Sequence, residues 1–342
     1  LITAAVLFLV LFVLLLTMRV PYVILSPGPT YDTLGADPVT HQTIIVIKGK
    51  RPRHTTGNLN LTTVSISRSN SSITALQALS AWLRGDEVVV PRAAVYPPGQ
   101  SDQQVQQRNT QDFIGSQENA TAAALCELHY PRGFGVLDVE ADGPSHGILH
   151  PGDFIKQVDG KPSASPAALT AVLAEERPGQ TVAVSVVRSG KPETVRVKLG
   201  QPPAGRKGAI LGIHVTPDST HCLAPFTVDL GLADEIGGPS AGLMFALGIM
   251  DKVGTRDLTG GRFIAGTGEI DAKGNVSPIG GIQLKMIAAR NAGATIFLAP
   301  ADNCSDVNGA VPDGLQIIKV STLHGAVQDL LRVQHGQSVP SC

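Results

Sequence analysis

The chain is poor in several things that would each have pointed to a class of function. Lysine plus arginine (27) and aspartate plus glutamate (28) nearly cancel to a net charge of −1, so the basic stripe of a nucleic-acid binder is missing. No cluster of cysteine and histidine has metal-ligand spacing, and no metal or other cofactor is expected. No Gly-x4-Gly-Lys-Ser/Thr string occurs: the glycine-rich stretch from Gly260 to Gly268 lacks the Lys-Ser/Thr ending, so no nucleotide partner is expected. No serine has a lysine three positions later, which excludes a Ser-x-x-Lys site on one helical turn. Cysteines number only four, and Cys126, Cys222, Cys304 and Cys342 are scattered. A Cys222–Cys304 bridge is the leading pairing, with buried free thiols as the alternative.

One long apolar run is present. Leu1 to Leu16 is interrupted only by Thr3 and closed by Thr17-Met18-Arg19. It is at the short end of what crosses a bilayer. The residues after it do not form a small-residue cleavage site, so an uncleaved anchor over residues 1–18 is expected, not a signal peptide. Because the run starts without a methionine, further residues are expected ahead of it.

At 342 residues the chain exceeds one ordinary domain. Residues 19–130 read as a mixed α/β membrane-proximal region to which no chemistry is assigned. Val20 to Gly35 is extended and proline-rich. Ile44–Ile47 and Leu61–Ile66 read as strands; Ser72–Leu83 and Gln111–His129 read as helices. A pattern of two glycine-bounded turns follows. Gly133-Phe134-Gly135-Val136 leads into a strand, and Pro151-Gly152-Asp153 feeds a second strand that ends at Asp159-Gly160. Pro166–Glu176 supplies a helix, and Thr181–Arg188 and Thr194–Leu199 two more strands. Residues 131–200 thereby resemble a PDZ domain. The resemblance implies peptide binding by strand addition, with the loop Gly133, Phe134, Gly135 and Val136 holding a terminal carboxylate. A spacer domain is the plainer alternative.

The most specific signal comes last. Gly237-Gly238-Pro239-Ser240-Ala241-Gly242 precedes the apolar run Leu243–Met250, which places a hydroxyl at the start of a buried helix. Backbone amides at such a terminus, here those of Ser240 and Ala241, can receive an oxyanion. Lys285 follows among Ile282, Leu284, Met286 and Ile287, apolar surroundings that lower an amine pKa toward neutrality. Gly143-Pro144-Ser145-His146-Gly147 has the same Gly-x-Ser-x-Gly form, but its context makes Ser145 a turn residue.

Four ordered pieces, around Ser240, Thr267-Gly268-Glu269-Ile270, Gly274 to Gly281 and Lys285, resemble the proteolytic domain of Lon-type peptidases over residues 205–335. That family implies Ser240 as nucleophile, Lys285 as general base and Thr267 bonded to the lysine amine. It also implies polypeptide substrates, assembly into a homo-oligomeric ring, and, by likeness to anchored Lon-like proteins, a single-pass membrane protein with an extracytoplasmic body. The fold expected is thus multidomain α+β: transmembrane helix, membrane-proximal region, PDZ-like domain and Lon-type domain. The function expected is an ATP-independent serine endopeptidase. Two rivals stay open: an inactive PDZ scaffold, and an esterase with a Ser-His-Asp triad built on His324 or His335 with Asp302, Asp306 or Asp313.

Overall fold

A computed structural model describes residues 2–67, 73–232 and 236–342. The first helix, α1 (Ile2–Thr17), is followed by β1 (Tyr22–Asp32), β2 (Ile45–Lys48) and β3 (Asn58–Ile66). Then come α2 (Ala75–Arg84), β4 (Val88–Pro91), the single turn α3 (Arg92–Val95) and the long α4 (Asp102–Glu127). Both α2 and α4 begin with a capping box, Thr74 with Gln77 and Ser101 with Gln104, which satisfies two otherwise unpaired main-chain donors at each start. For α4 this moves the start nine residues upstream of the expected Gln111.

The spanning anchor expected over residues 1–18 is not supported. Among the described residues no helix is long and apolar enough to cross a membrane.

Residues 133–215 pack around a core of their own, containing Phe134, Leu149, Ile155, Leu169, Val184 and Leu211. Its elements are β5 (Val136–Val139), β6 (Phe154–Val158), the short β7 (Lys161–Pro162), α5 (Pro166–Glu175), β8 (Thr181–Arg188), β9 (Lys191–Lys198) and β10 (Ile213–Val215). β7-β6-β8-β9 form one antiparallel sheet, and β10 pairs with β5. The unit therefore runs past residue 200 to include β10. Arg188 forks onto Asp153 (2.7 Å to both carboxylate oxygens) and pins the Pro-Gly-Asp turn to β8.

The remaining elements are β11 (Thr227–Leu230), α6 (Gly242–Val253), β12 (Phe263–Gly266), the hairpin β13 (Glu269–Ile270) and β14 (Val276–Ser277), α7 (Ile282–Asn291), β15 (Ile296–Pro300), the single turn α8 (Cys304–Val307), β16 (Gln316–Val320) and α9 (Leu323–Gln334). They do not form a domain alone. The main sheet has the order β16-β15-β12-β3-β1-β4, parallel from β16 to β3 and antiparallel beyond. Half of it comes from residues 22–91. The stretch read as a separate membrane-proximal region is thus built into the C-terminal core. The sheet's parallel strands are covered on both faces, as such strands must be. Leu59, Leu61, Ile264 and Leu298 face α6 and α9, whereas Ala265, Phe297 and Ala299 face α7. Every residue of α6 is buried.

Two disulfides join Cys126 to Cys222 and Cys304 to Cys342. The leading Cys222–Cys304 pairing is therefore wrong, as is the alternative of free thiols. Cys126 ends α4 and Cys222 precedes β11. Their bond, with Leu223 N–H donating to the Pro131 carbonyl (2.9 Å), closes the base of the inserted residue 133–215 unit.

Candidate active site

Ser240 lies in the last turn before α6, and Lys285 in the first turn of α7. These helices cover opposite faces of the sheet, and the two side chains meet past the end of β12. Gly281 begins α7 with φ +69, and a Cβ there would lie 3.0 Å from Val64 Cγ2. A side chain would be strained in conformation and crowded by β3. Lys285 Nζ lies 2.8 Å from Ser240 Oγ and 2.9 Å from Thr267 Oγ1. Thr267 in turn donates its hydroxyl to the Ser240 carbonyl at 3.0 Å, so its oxygen accepts from the amine. The residues placed together by sequence resemblance are together in space.

Lys285 is 4 % exposed, and burial pulls its pKa from 10.5 down to about 7. Desolvation is the sole cause, because a buried ammonium loses hydration that two hydroxyls replace poorly. A second buried lysine makes a useful contrast. Lys252 is also pushed down by burial, but its amine donates to the Ile45 carbonyl at 3.0 Å. Its hydrogen bond reaches no nucleophile.

The amides of Ser240 and Ala241 have no main-chain or side-chain acceptor among the described residues, whereas those of Gly238, Leu243 and Gly268 are used, Gly238 N–H by the Asn109 carbonyl and Gly268 N–H by that of Ser240. Open donors thus sit beside the hydroxyl. The cleft in front has a volume of about 580 Å³. Its walls include Tyr31, Val64, Ile66, Tyr96, Ile236 and Gly280, and no histidine or carboxylate lines it among the described residues. His324 is bonded to Glu127 (2.7 Å) on an exposed surface, and His335 caps the end of α9. Neither expected triad histidine is in this cleft.

One wall was missed by sequence reasoning. β12 ends at Gly266, opposite Leu61 of β3. Asn58 N–H points toward β12 (to the Arg262 carbonyl) and Ser67 N–H toward β1 (to the Ile24 carbonyl). Backbone direction alternates along a strand, so the amides and carbonyls of Val64 and Ile66 point away from β1 into the cleft. This is an unpaired strand edge beside Ser240. The only sequence signal was the β-branching of Leu61–Ile66, which marks a strand but not its neighbours.

The other expected binding loop has most of its amides engaged within the protein. Gly133 N–H donates to the His221 carbonyl (3.0 Å), Gly135 N–H to Thr216 Oγ1 (3.2 Å) and Val136 N–H to the Asp153 carbonyl (2.9 Å). Phe134 is a core residue. A Cβ on Gly133 would lie 2.5 Å from the Phe154 ring, so the glycines serve close packing. Three of the four amides of the loop Gly133–Val136 are therefore engaged within the protein. Ser145 is fully buried in a turn, its carbonyl accepting from Ile148 and Leu149.

Comparison with known proteins agrees with this anatomy. The Lon protease (S16) C-terminal proteolytic domain matches residues 233–333. The C-terminal domain is of the Lon type. A PDZ domain matches residues 105–199, although the part of that match on α4 packs in the Lon-type core, where Phe113 meets Phe245 edge to face at 5.9 Å. The Lon protease of Clostridium beijerinckii is 44 % identical over 77 residues, 22 % of this chain and 9 % of that protein. Lon protease 1 of Bacillus subtilis is 34 % identical over 97 residues, 28 % and 12 % of the two chains. The PDZ domain of an SdrC-like protein from Listeria innocua is 30 % identical with a TM-score of 0.22, covering 24 % of this chain and 92 % of that one. The chain spans about a tenth of the length of these two Lon proteases.

Proposed function

We propose that this chain cleaves polypeptides with Ser240 as nucleophile and Lys285 as general base. The observation that carries this reading is a single buried amine, with its pKa near 7, held within hydrogen-bond distance of both a serine and a threonine hydroxyl. A serine hydroxyl needs a base to become a nucleophile, and an amine neutral at pH 7 is one. The neutral Lys285 amine donates one proton to Thr267 Oγ1, which turns its lone pair toward Ser240. Ser240 Oγ attacks the scissile carbonyl while its proton passes to Nζ. The oxyanion is received by the Ser240 and Ala241 amides. The resulting ammonium then gives its proton to the leaving amine, leaving an acyl-enzyme. Water deacylates this ester as Lys285 takes a proton once more.

The substrate lies as an extended strand on Val64 and Ile66, whose free main-chain groups suit strand addition. The cleft walls mix apolar side chains (Val64, Ile66, Ile236) with polar ones (Thr62, Gln106, Asn109). A loosely folded substrate suits this edge, because only an extended chain can add to it as a strand. The PDZ domain recruits polypeptide. Its site is better sought at Leu211-Gly212, whose amides have no acceptor among the described residues, beside the end of α5 where Ala209 N–H donates to the Leu173 carbonyl (3.0 Å). Two disulfides favour an oxidising compartment, hence an extracytoplasmic location.

Cleavage of a reduced, unfolded protein should be lost in Ser240→Ala and in Lys285→Ala. Labelling by a serine-directed phosphonate should be lost in Ser240→Ala. Retained cleavage in both variants would overturn the assignment.

A further inference from the structure

A second groove, of about 680 Å³, lies where the inserted residue 133–215 unit meets the Lon-type core. α4 lines it through Ile114, Gln117 and Thr121, the β5–β10 pair through Leu137 and His214, and β11 along its whole length. Two large apolar side chains on its walls stay open to solvent, Ile114 at 48 % and Leu137 at 38 %. The volume is that of an ordinary ligand site.

β11 has a strand partner on one side only. It pairs with β2 in a two-stranded sheet, and Gly231 N–H donates to the Ile44 carbonyl (2.8 Å) on that side. Backbone direction alternates along a strand, so the main-chain groups of Val228 and Leu230 point the other way. Neither N–H has an acceptor among the described residues, and the Leu230 carbonyl receives only the Gln117 side-chain amide, at 3.4 Å. Both residues line the groove. Apolar side chains alone suit many occupants. A row of main-chain donors and acceptors at strand spacing is matched by one chemistry, another extended polypeptide.

This groove and the Ser240 cleft share α4. Gln117 touches the β11 edge at Leu230, while the Asn109 carbonyl holds Gly238 N–H (2.9 Å), two residues before the nucleophile. Asn109 and Gln106 line the Ser240 cleft, and the exposed Thr110 shares a helix face with Gln106 and Ile114. From Asn109 to Gln117 is about 12 Å along the helix axis at ~1.5 Å per residue, the reach of about four residues of extended chain at ~3.3 Å each. We propose that the groove is an exosite: a polypeptide substrate adds as a strand to the β11 edge at Val228 and Leu230, and the same chain continues over α4 into the Ser240 cleft. The inference rests on the peptidase reading above and names a part of the substrate that reading leaves out. Glu118, Asp138 and Asp229 line the groove against one lysine, Lys48, paired with Asp229. Its rim is thus acidic, and the segment it takes carries lysine or arginine among apolar residues.

Two variants test this on the full chain. Val228→Pro removes the outward N–H and puts a ring in its place, while the ladder to β2 is left intact. Ile114→Glu changes an exposed helix position and serves where the proline variant fails to fold. The probes are a short peptide that fills only the Ser240 cleft and the same peptide extended, at either end, by about ten residues rich in leucine and lysine. For one of the extensions KM should fall at least tenfold below that of the short peptide. Both variants should lose that gain and still cleave the short peptide within twofold of the unaltered rate. Binding of the labelled extended peptide is read by fluorescence anisotropy in Ser240→Ala protein, where no cleavage occurs, and should weaken at least tenfold when either variant is added. Extended peptide bound equally well with and without the two substitutions would overturn the proposal, as would an equal loss for short and extended peptides. Glutamate in place of the lysines should weaken binding; no change would overturn the basic preference. A chain that binds the extended peptide through the groove yet cleaves neither peptide would mark a failure of the peptidase reading alone.

Discussion

The Ser116 hydroxyl donates to the Pro239 carbonyl, 2.8 Å away. This ties the middle of α4 to the residue before the nucleophile, and Gly238 N–H is held by the Asn109 carbonyl (2.9 Å) on the same helix. The loop that presents Ser240 is therefore positioned by a segment more than a hundred residues upstream. Ser116→Ala should lower kcat about tenfold, the effect of one net hydrogen bond of about 1–1.5 kcal/mol on a positioned group, with KM little changed. An equal fall in binding and turnover, or none in either, would remove Ser116 from the positioning role.

Thr267 is fully buried and orients the amine. Thr267→Val keeps the shape and removes the acceptor, and should cost roughly 10- to 100-fold in kcat, about 1.4–3 kcal/mol. Thr267→Ser should restore most of it. Steady-state kinetics on one peptide substrate decides this; a valine variant as active as the parent contradicts the arrangement.

Burying Lys285 also has a stability consequence with a definite sign. Its folded pKa, about 7, lies below the unfolded value near 10.5, so between these pH values the unfolded chain binds more protons and stability rises with pH. Below pH 7 the full cost of the buried charge is present, at most about 5 kcal/mol. Lys285→Met should therefore raise the midpoint of urea unfolding most at pH 6, and the gain should shrink toward pH 10. A gain that is constant with pH would contradict the depressed pKa.

Gly242 opens α6 where a Cβ would lie 2.7 Å from Ile270 Cγ2 and 2.8 Å from Ser116 Oγ. Gly242→Ala should push α4 or β13 away, costing about 1–3 kcal/mol of stability and reducing turnover through the same loop. Thermal unfolding and kcat measured together test this; an alanine variant with unchanged Tm and rate would show that the contact yields freely.

The Cys126–Cys222 bond closes a loop of 96 residues of sequence separation. Its removal by Cys126→Ser/Cys222→Ser should cost about 2–5 kcal/mol, read as a fall in urea midpoint. Stability unchanged by the double substitution would make the bond incidental.

Ser240 and Lys285 were legible because the local chemistry, a glycine-lined turn before a wholly apolar helix and a lysine among apolar neighbours, is written in contiguous residues; Thr267 came only from the resemblance to Lon-type peptidases. The inserted PDZ-like unit was legible for the same reason: its turns are local. What stayed hidden was non-local. Nothing in Leu61–Ile66 says that β3 lies parallel to β12, two hundred residues on, or that β12 stops short and leaves Val64 and Ile66 unpaired. α4 reads as an alanine-rich helix, and only its packing on α6 makes it part of the site. The engagement of the Gly133, Gly135 and Val136 amides was hidden too, because a sequence shows which amides exist, not which are already donating. Cysteine pairing was out of reach because it follows from the closure of the inserted unit.

Catalysis by Ser240 depends most directly on the protonation state of one amine. Lysine side chains labelled with ¹³C at Cε can be followed by NMR across pH, and the Lys285 resonance identified by its loss in Lys285→Arg. It should titrate near pH 7, and the Lys285→Arg comparison separates it from Lys252, which burial also pushes down. A Lys285 signal that titrates above pH 10 would mean a charged amine at neutral pH, and Ser240 would be without its base.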